Sequence, residues 1–239
     1  MEIGAVVLCG GESRRMGSSK AWLPIGPETM LQRVVRLVGG VASPVVVVAA
    51  PGQAIPELPA EVAVVRDLVA GRGPVQGLAT GLAAIPESVE LVYATSTDAP
   101  MLAPGWIARL ADLIGEHDMA VPSVGGELHP LAAVYRRGVV LPVVDRMLEH
   151  GRLRLRDVVG FGKVRVVDES ELRSVDPELR TLRNLNHPGD YERAVREALG
   201  WDELAAIRPL PRLAGMGDED KEVDHLSQGG PVSDQEEAR

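Results

Sequence analysis

Three basic side chains crowd into the segment LCGGESRRMGSSK at residues 8–20, namely Arg14, Arg15 and Lys20. They follow an apolar run, residues 3–8, and the bare pair Gly10 and Gly11. Glycines let backbone N–H groups come close to anionic oxygens, and arginine and lysine neutralise the charge. A strand that ends in such a loop has the chemistry of a polyphosphate cradle. Two glycines beside solvated cations also make an ordinary turn. The cradle is favoured because the cluster reverses the sign of charge locally in a chain of formal net charge −9. Two carboxylates complete the set. Asp67 and Asp98 each stand just past an apolar run, at 62–65 and 90–95. There an acid either forms a turn or helix cap or holds a hard cation such as Mg²⁺ against phosphate oxygens.

Neither common phosphate-loop motif fits. The Walker pattern needs Gly-Lys-Ser/Thr, but two serines separate Gly17 from Lys20, and Ala21 follows the lysine. The dinucleotide pattern G-x-G-x-x-G is absent. What residues 3–20 resemble is the opening of the nucleotidyltransferases that join a nucleoside triphosphate to a phosphorylated acceptor: a strand, Leu-Ala-(Ala/Gly)-Gly, polar residues, Arg-Met-Gly and a lysine. The paired form at Gly10 and Gly11 is similar to the molybdenum cofactor guanylyltransferases. Cys9 stands where alanine is common, and it is small enough to fit. Further segments carry the resemblance to about residue 200. Gly-Arg-Gly-Pro-Val-Gln-Gly at 71–77 resembles a G-P-x-x-G element that leads a helix toward base and sugar. Asp98-Ala-Pro100 matches an Asp followed by x-Pro. His129-Pro-Leu resembles a stretch of the acceptor half. Residues 182–190, LRNLNHPGD, resemble an Asn-x-Asn-x-Pro-x-Asp element opening the last helix.

The resemblance implies an α/β, Rossmann-like three-layer nucleotidyltransferase fold with a mainly parallel sheet flanked by helices. It implies Mg²⁺-dependent transfer of GMP from GTP to molybdopterin or its molybdenum form, with pyrophosphate released. The alternatives are a cytidylyl- or sugar-phosphate transferase of the same fold, and a catalytically inactive nucleotide-binding regulatory protein. Lys20, Asp98 and Arg15 are the catalytic candidates, with Arg14 interchangeable with Arg15 at the outer phosphates. Leu8, Cys9, Gly10, Gly11, Lys20, Asp67, Gly77 and Asp98 are the nucleotide-binding candidates. The backbone amides of residues 8–11 are expected to meet guanine and phosphate, Asp67 and Gly77 the ribose and base, and Asp98 the Mg²⁺. His129, Asn184 and Asn186 are assigned to the acceptor half. His129 is alternatively structural, and the asparagines suit either a metal or a pterin, or simply begin a helix. Arg152, Arg154 and Arg156 either meet the acceptor's phosphate or form a solvated face. Transient contact with other molybdenum cofactor proteins is the partner expectation.

These groups need a scaffold that brings strand ends together. Runs at 3–8, 44–50, 62–65, 90–95, 119–122 and 163–167 read as strands, the first and second without alternation, as in a strand buried on both faces. Helical patterns cover 29–41 with Thr29 as cap, 75–84 with Pro74 in the first turn, 104–116, 139–149, 153–159 and 190–199. Alternating strands and helices imply a mainly parallel sheet with right-handed crossovers, whose ligand lies beyond the strands' carboxyl ends. Gly10, Asp67 and Asp98 all fall there. The chain has 239 residues, of which 45% are hydrophobic and only 3% aromatic. That suffices for one domain cored by Val, Leu, Ile and Ala. Its acidity argues against general nucleic-acid binding, and one cysteine excludes an intrachain disulfide. No apolar run is long enough to span a bilayer and no secretory signal is recognisable, so a cytoplasmic protein without membrane association is expected. The domain is expected over 1–200. An acidic extension follows at 201–239, in which 201–213 packs as an extra turn or helix and 215–239 lacks the apolar content to order itself.

Overall fold

The computed structural model describes residues 2–10, 19–67, 69 and 71–204. The chain order is β1 (Ile3–Leu8), β2 (Pro24–Ile25), β3 (Glu28–Thr29), α1 (Met30–Gly39), β4 (Val45–Ala49), β5 (Ala63–Arg66), α2 (Gly73–Ala84), β6 (Leu91–Ser96), α3 (Pro104–Leu113), β7 (Met119–Val124), β8 (Glu127–Leu128), β9 (Ala133–Arg136), α4 (Arg137–Glu149), β10 (Val164–Asp168), α5 (Glu169–Leu172) and α6 (Pro188–Leu204). Short 3₁₀ stretches lie at Lys20–Trp22, Pro130–Ala132, Leu155–Phe161 and Arg180–Leu182.

The main sheet runs β10-β7-β9-β6-β1-β4-β5. β1 pairs in parallel with β4 and β6, β4 with β5, and β7 with β10. β9 is antiparallel to both β6 and β7. Successive residues of a strand face opposite ways, and both faces of this sheet are covered. On one face Val7, Val47 and Tyr93 pack with Leu31 and Val34 of α1 and Trp106 and Leu110 of α3. On the other, Val6, Val46 and Val92 pack with Leu78 and Leu82 of α2 and Val140 and Val144 of α4. Three layers result, and β1, the first apolar run, is buried along its whole length. A third cluster joins Leu23, Ile25 and Met30 to Tyr191, Ala194 and Val195 of α6. Tyr191 donates its hydroxyl to the carbonyl of Pro24 at 2.5 Å, so the last helix clamps the chain just after Lys20.

Local chemistry explains several boundaries. Thr29 caps α1 through a reciprocal box with Gln32, and Pro74 sits in the first turn of α2. One strand was not expected, and two helix expectations are corrected. The apolar stretch after His129 contains the inserted strand β9, buried at Ala133, Val134 and Tyr135; at four residues without alternation it carries no period to read. Of residues 153–159, expected as a helix, 155–159 belong to the 3₁₀ stretch Leu155–Phe161 and 153–154 precede it outside any helix. β-Branched Val158 and Val159 ahead of Gly160 give an α-helix little intrinsic support. α6 continues through Gly200 to Leu204 instead of stopping at 199. Residues 205–239, where most of the extension falls, lie outside the described residues.

Candidate active site at the carboxyl edge of the sheet

β1, β4, β5 and β6 run the same way, so Gly10, Asp67 and Asp98 share one edge of the sheet. The end of β6 is spliced to the end of β1: the Thr97 amide and hydroxyl both donate to the Leu8 carbonyl, at 3.0 and 3.3 Å. Asp98 is thereby fixed beside the strand that leads into the glycine loop. Lys20 arrives from the far end of that loop. Its Nζ lies 3.3 Å from Asp98 Oδ2 and donates to Asn186 Oδ1 at 2.9 Å. The two charged side chains are 18% and 21% exposed, sheltered enough to interact strongly yet open to a ligand. The other carboxylate oxygen, Asp98 Oδ1, accepts from Ser96 Oγ at 2.5 Å. Asn186 is delivered by the neighbouring backbone, because the amide of Leu185 donates to the carbonyl of Asp98 at 2.9 Å. A lysine, an acid and an amide separated by up to 166 positions thus meet at one point.

The β5 corner carries Asp67. Its amide donates to the Ala49 carbonyl at 3.0 Å, and its carboxylate accepts from Thr80 Oγ1 at 2.9 Å. Gln76 Nε2 donates to the same Thr80 hydroxyl at 3.2 Å. Burial pushes the Asp67 carboxyl above the ordinary range, and the Thr80 hydrogen bond partly offsets this. Gly77, expected to face a base, is buried against Leu8. An added Cβ would lie 3.0 Å from Leu8 Cδ2, so its bareness serves the contact of α2 with β1. The expectation that the amides of residues 8–11 face the ligand is corrected at Cys9, whose N–H donates to the Val48 carbonyl at 2.8 Å. Its carbonyl accepts from Gln53 Nε2 at 3.1 Å. Burial raises the Cys9 thiol, which keeps it protonated and unreactive at neutral pH. Leu8 is likewise committed, its carbonyl to Thr97 and its side chain to the core. Gly10 is exposed at the edge. Gly11, Arg14 and Arg15 lie outside the described residues.

The match to known proteins covers most of this architecture. The profile of the MobA-like NTP transferase domain covers residues 5–175. A protein of Mycobacterium avium (strain 104) named "Probable molybdenum cofactor guanylyltransferase" is 34% identical over 203 residues, covering 83% of this chain and 97% of its own. The chain belongs to the MobA-like NTP transferase family. It is a nucleotidyltransferase by that membership. Solved structures agree on the fold. Molybdopterin-guanine dinucleotide biosynthesis protein A from Archaeoglobus fulgidus superimposes with a TM-score of 0.67 at 21% identity, over 82% of this chain and 98% of that one. The 2-C-methyl-D-erythritol 4-phosphate cytidylyltransferase from Thermus thermophilus gives 0.62 at 19% identity, over 83% and 99%.

In the family frame the remaining candidates separate. Asn184 and Asn186 both line a groove of about 400 Å³ with Met101, Arg193 and Glu197, and of the two only Asn186 meets Lys20. His129 lies half-buried between β8 and the next 3₁₀ stretch, its amide donating to the Pro122 carbonyl at 2.9 Å. Burial lowers its pKa; Glu127 opposes that shift and Arg156 adds to it. Among the described residues no three His, Cys, Asp or Glu side chains gather as a metal site. Asp98 and the amide oxygen of Asn186 are hard oxygen donors, which suits Mg²⁺ held by one carboxylate and completed by substrate phosphates and water. Sequence reasoning missed Ser96, Gln76, Thr80 and Gln53. A hydroxyl two residues before Asp98 and a Gln–Thr pair one helical turn apart were the available signals.

Proposed function

We propose that this chain transfers GMP from GTP to the terminal phosphate of molybdopterin, or of its molybdenum form, giving molybdopterin guanine dinucleotide and pyrophosphate. The observation that carries the reading is the meeting of Lys20, Asp98 and Asn186 at the carboxyl edge of a sheet in a chain whose relative bears the guanylyltransferase name. An oxygen of the acceptor phosphate attacks the α-phosphorus in line as the bond to the β-phosphate oxygen breaks, and the electron pair leaves with pyrophosphate. Such a displacement needs alignment of two anions and neutralisation of their charge more than covalent help. Lys20 stabilises the α-phosphate and the departing pyrophosphate, and Arg15 or Arg14 steadies the outer phosphates. Asp67 and the Gly77 turn of α2 border the ribose and base. Gly10 and Gly11 offer the close approach, and His129 with Asn184 and Asn186 borders the acceptor. Mg²⁺ supplies further neutralisation of phosphate charge when bound, and Asp98 with Asn186 would hold it.

The reading places the enzyme in the cytoplasm, in transient contact with other molybdenum cofactor proteins. It is supported there by a single buried cysteine and by the absence, among the described residues, of a helix long and apolar enough to cross a membrane. The deciding experiment supplies molybdopterin and Mg²⁺ with GTP, CTP, UTP or ATP in turn and follows pyrophosphate. Release with GTP alone is expected. Release with CTP but not GTP points to the cytidylyl alternative, and release with none to a non-catalytic protein.

A further inference from the structure

The hydrogen bonds at the end of β5 run in one direction only. Thr80 Oγ1 lies 2.9 Å from Asp67 Oδ1, and Gln76 Nε2 lies 3.2 Å from the same hydroxyl. An ionised carboxylate only accepts, an amide N–H only donates, and a hydroxyl has a single proton to give. Thr80 therefore gives its proton to Asp67 and accepts from Gln76. The Gln76 amide occupies a lone pair of the hydroxyl and so turns its proton toward the carboxylate. Burial disfavours the charged form of Asp67, and the Thr80 bond favours it.

Helix packing, not helix capping, builds this arrangement. Asp67 is an acid between a strand and a helix, yet it does not cap α2: the cap position is Arg72, with no side-chain hydrogen bond to the first turn. Gln76 and Thr80 stand four apart on α2 and so are neighbours on its surface. Val75, Leu78 and Leu82 of the same helix are buried with Val6 and Val48, which fixes the rotation of α2 about its axis. Gly81, next to Thr80, has no room for a Cβ against Val6, so the helix lies close enough for a short side chain to reach the end of β5. Asp67 is thus held at two points, its amide on the Ala49 carbonyl at 3.0 Å and its Oδ1 on Thr80. Its Oδ2 accepts no hydrogen bond from the described residues. The side chains of Asp67, Gln76 and Thr80 are all partly exposed, at the carboxyl edge that Gly10 also borders.

We propose that Thr80 and Gln76 are positioning residues for nucleotide binding: they hold one oxygen of Asp67 so that the other takes a hydrogen-bond donor of the nucleoside, a ribose hydroxyl or a ring N–H. The assignment of Asp67 to the nucleoside rests on the function proposed above. The test measures GTP affinity of the full-length protein by calorimetry with Mg²⁺ present. Thr80→Val keeps the shape and removes the hydroxyl, and is expected to weaken GTP binding about fivefold, the worth of one hydrogen bond. Thr80→Ser restores the affinity, and Gln76→Leu gives a smaller loss in the same direction. Asp67→Ala costs about tenfold or more, as loss of a charged acceptor does. Added to Asp67→Ala, Thr80→Val costs nothing further, because a residue that acts through another has no effect once that other is gone. Unchanged melting temperatures check the fold. With 2′,3′-dideoxy-GTP the Thr80→Val loss disappears if the donor is a ribose hydroxyl and persists if it is a ring N–H, and both results support the positioning role. If Asp67→Ala weakens GTP binding but Thr80→Val does not, or if Thr80→Val costs as much without Asp67 as with it, the positioning role is overturned and the proposed function stands. If Asp67→Ala leaves GTP affinity intact, the nucleoside role of Asp67 fails and the positioning role fails with it.

Discussion

Asp98 has a separate partner for each carboxylate oxygen, Ser96 on Oδ1 and Lys20 on Oδ2. That arrangement fixes the plane of the carboxylate and leaves its charge to be shared with whatever binds beside Lys20. Asp98→Asn keeps the shape and removes the charge. It is expected to lower kcat by about a hundredfold or more, in the range seen when a preorganised electrostatic group is lost, with an unchanged melting temperature. Wild-type pyrophosphate release from that variant would falsify its role. Lys20→Ala is expected to depress kcat more than GTP affinity, the mark of an interaction strongest in the transition state. A rise in KM alone makes lysine a ground-state contact instead. Ser96 acts through Asp98 and is a positioning residue. Loss of its hydrogen bond in Ser96→Ala is worth about 1 kcal/mol, or about fivefold in kcat, with threonine restoring most of the rate. If threonine fails to restore it, the effect of the alanine is structural.

At the scale of elements, the site depends on how closely α2 lies on the sheet. Gly81 permits that approach: a Cβ there would overlap Val6 Cγ1 and sit 2.8 Å from Val6 Cγ2. Gly77 is looser, with the end of Leu8 as its nearest neighbour. Gly81→Ala is therefore expected to destabilise by about 2 kcal/mol through overpacking, clearly more than Gly77→Ala, in urea melts of the two variants. The β2–β3 hairpin after Lys20 is tied to α1 by Glu28, which meets Arg33 at 3.3 Å and Arg36 at 2.7 Å. The hydrogen bond from Arg36 is the main reason its carboxyl lies below the ordinary value of 4.5. A depressed folded-state pKa means that the unfolded chain binds more protons, so the stabilisation is full above the unfolded pKa and fades as pH falls below it. Glu28→Gln is expected to lower stability by about 1 kcal/mol at pH 7. The gap from wild type should close as the melts are moved below pH 4.5; a gap independent of pH means that packing, not charge, is lost.

At the scale of the molecule, a chain of formal net charge −9 that is to bind a nucleoside triphosphate must supply its cations locally, and Lys20 at the carboxyl edge of the sheet is one that the described residues place. Elsewhere basic side chains meet acids in ion pairs such as Arg136–Glu90 and Arg183–Glu197, and the excess of acids remains. Residues 205–239 are rich in Gly, Asp and Glu, and no element of the described site requires them. Deletion after Leu204 is expected to leave both the melting temperature and GMP transfer within error of the full chain; a large loss in either assigns the segment a role.

What the sequence determined by itself is whatever short-range physics decides. β1 was legible because six apolar residues without alternation demand burial on both faces, and the start of α1 because Thr29 stands as a cap ahead of an apolar stripe of helical period. The positions of Gly10, Asp67 and Asp98 at strand ends followed from the order of strands and helices alone. The tertiary structure decided the rest, since contacts between distant segments leave no local period. The insertion of β9 between β6 and β7, the burial of Gly77 against Leu8 and the engagement of the Cys9 amide by Val48 all depend on a partner strand or helix supplied from elsewhere. So does the choice of Asn186 over Asn184 as the partner of Lys20, which follows from the Leu185 amide docking on the Asp98 carbonyl. Side-chain identities named the chemistry, and only the closed sheet could say which of them meet.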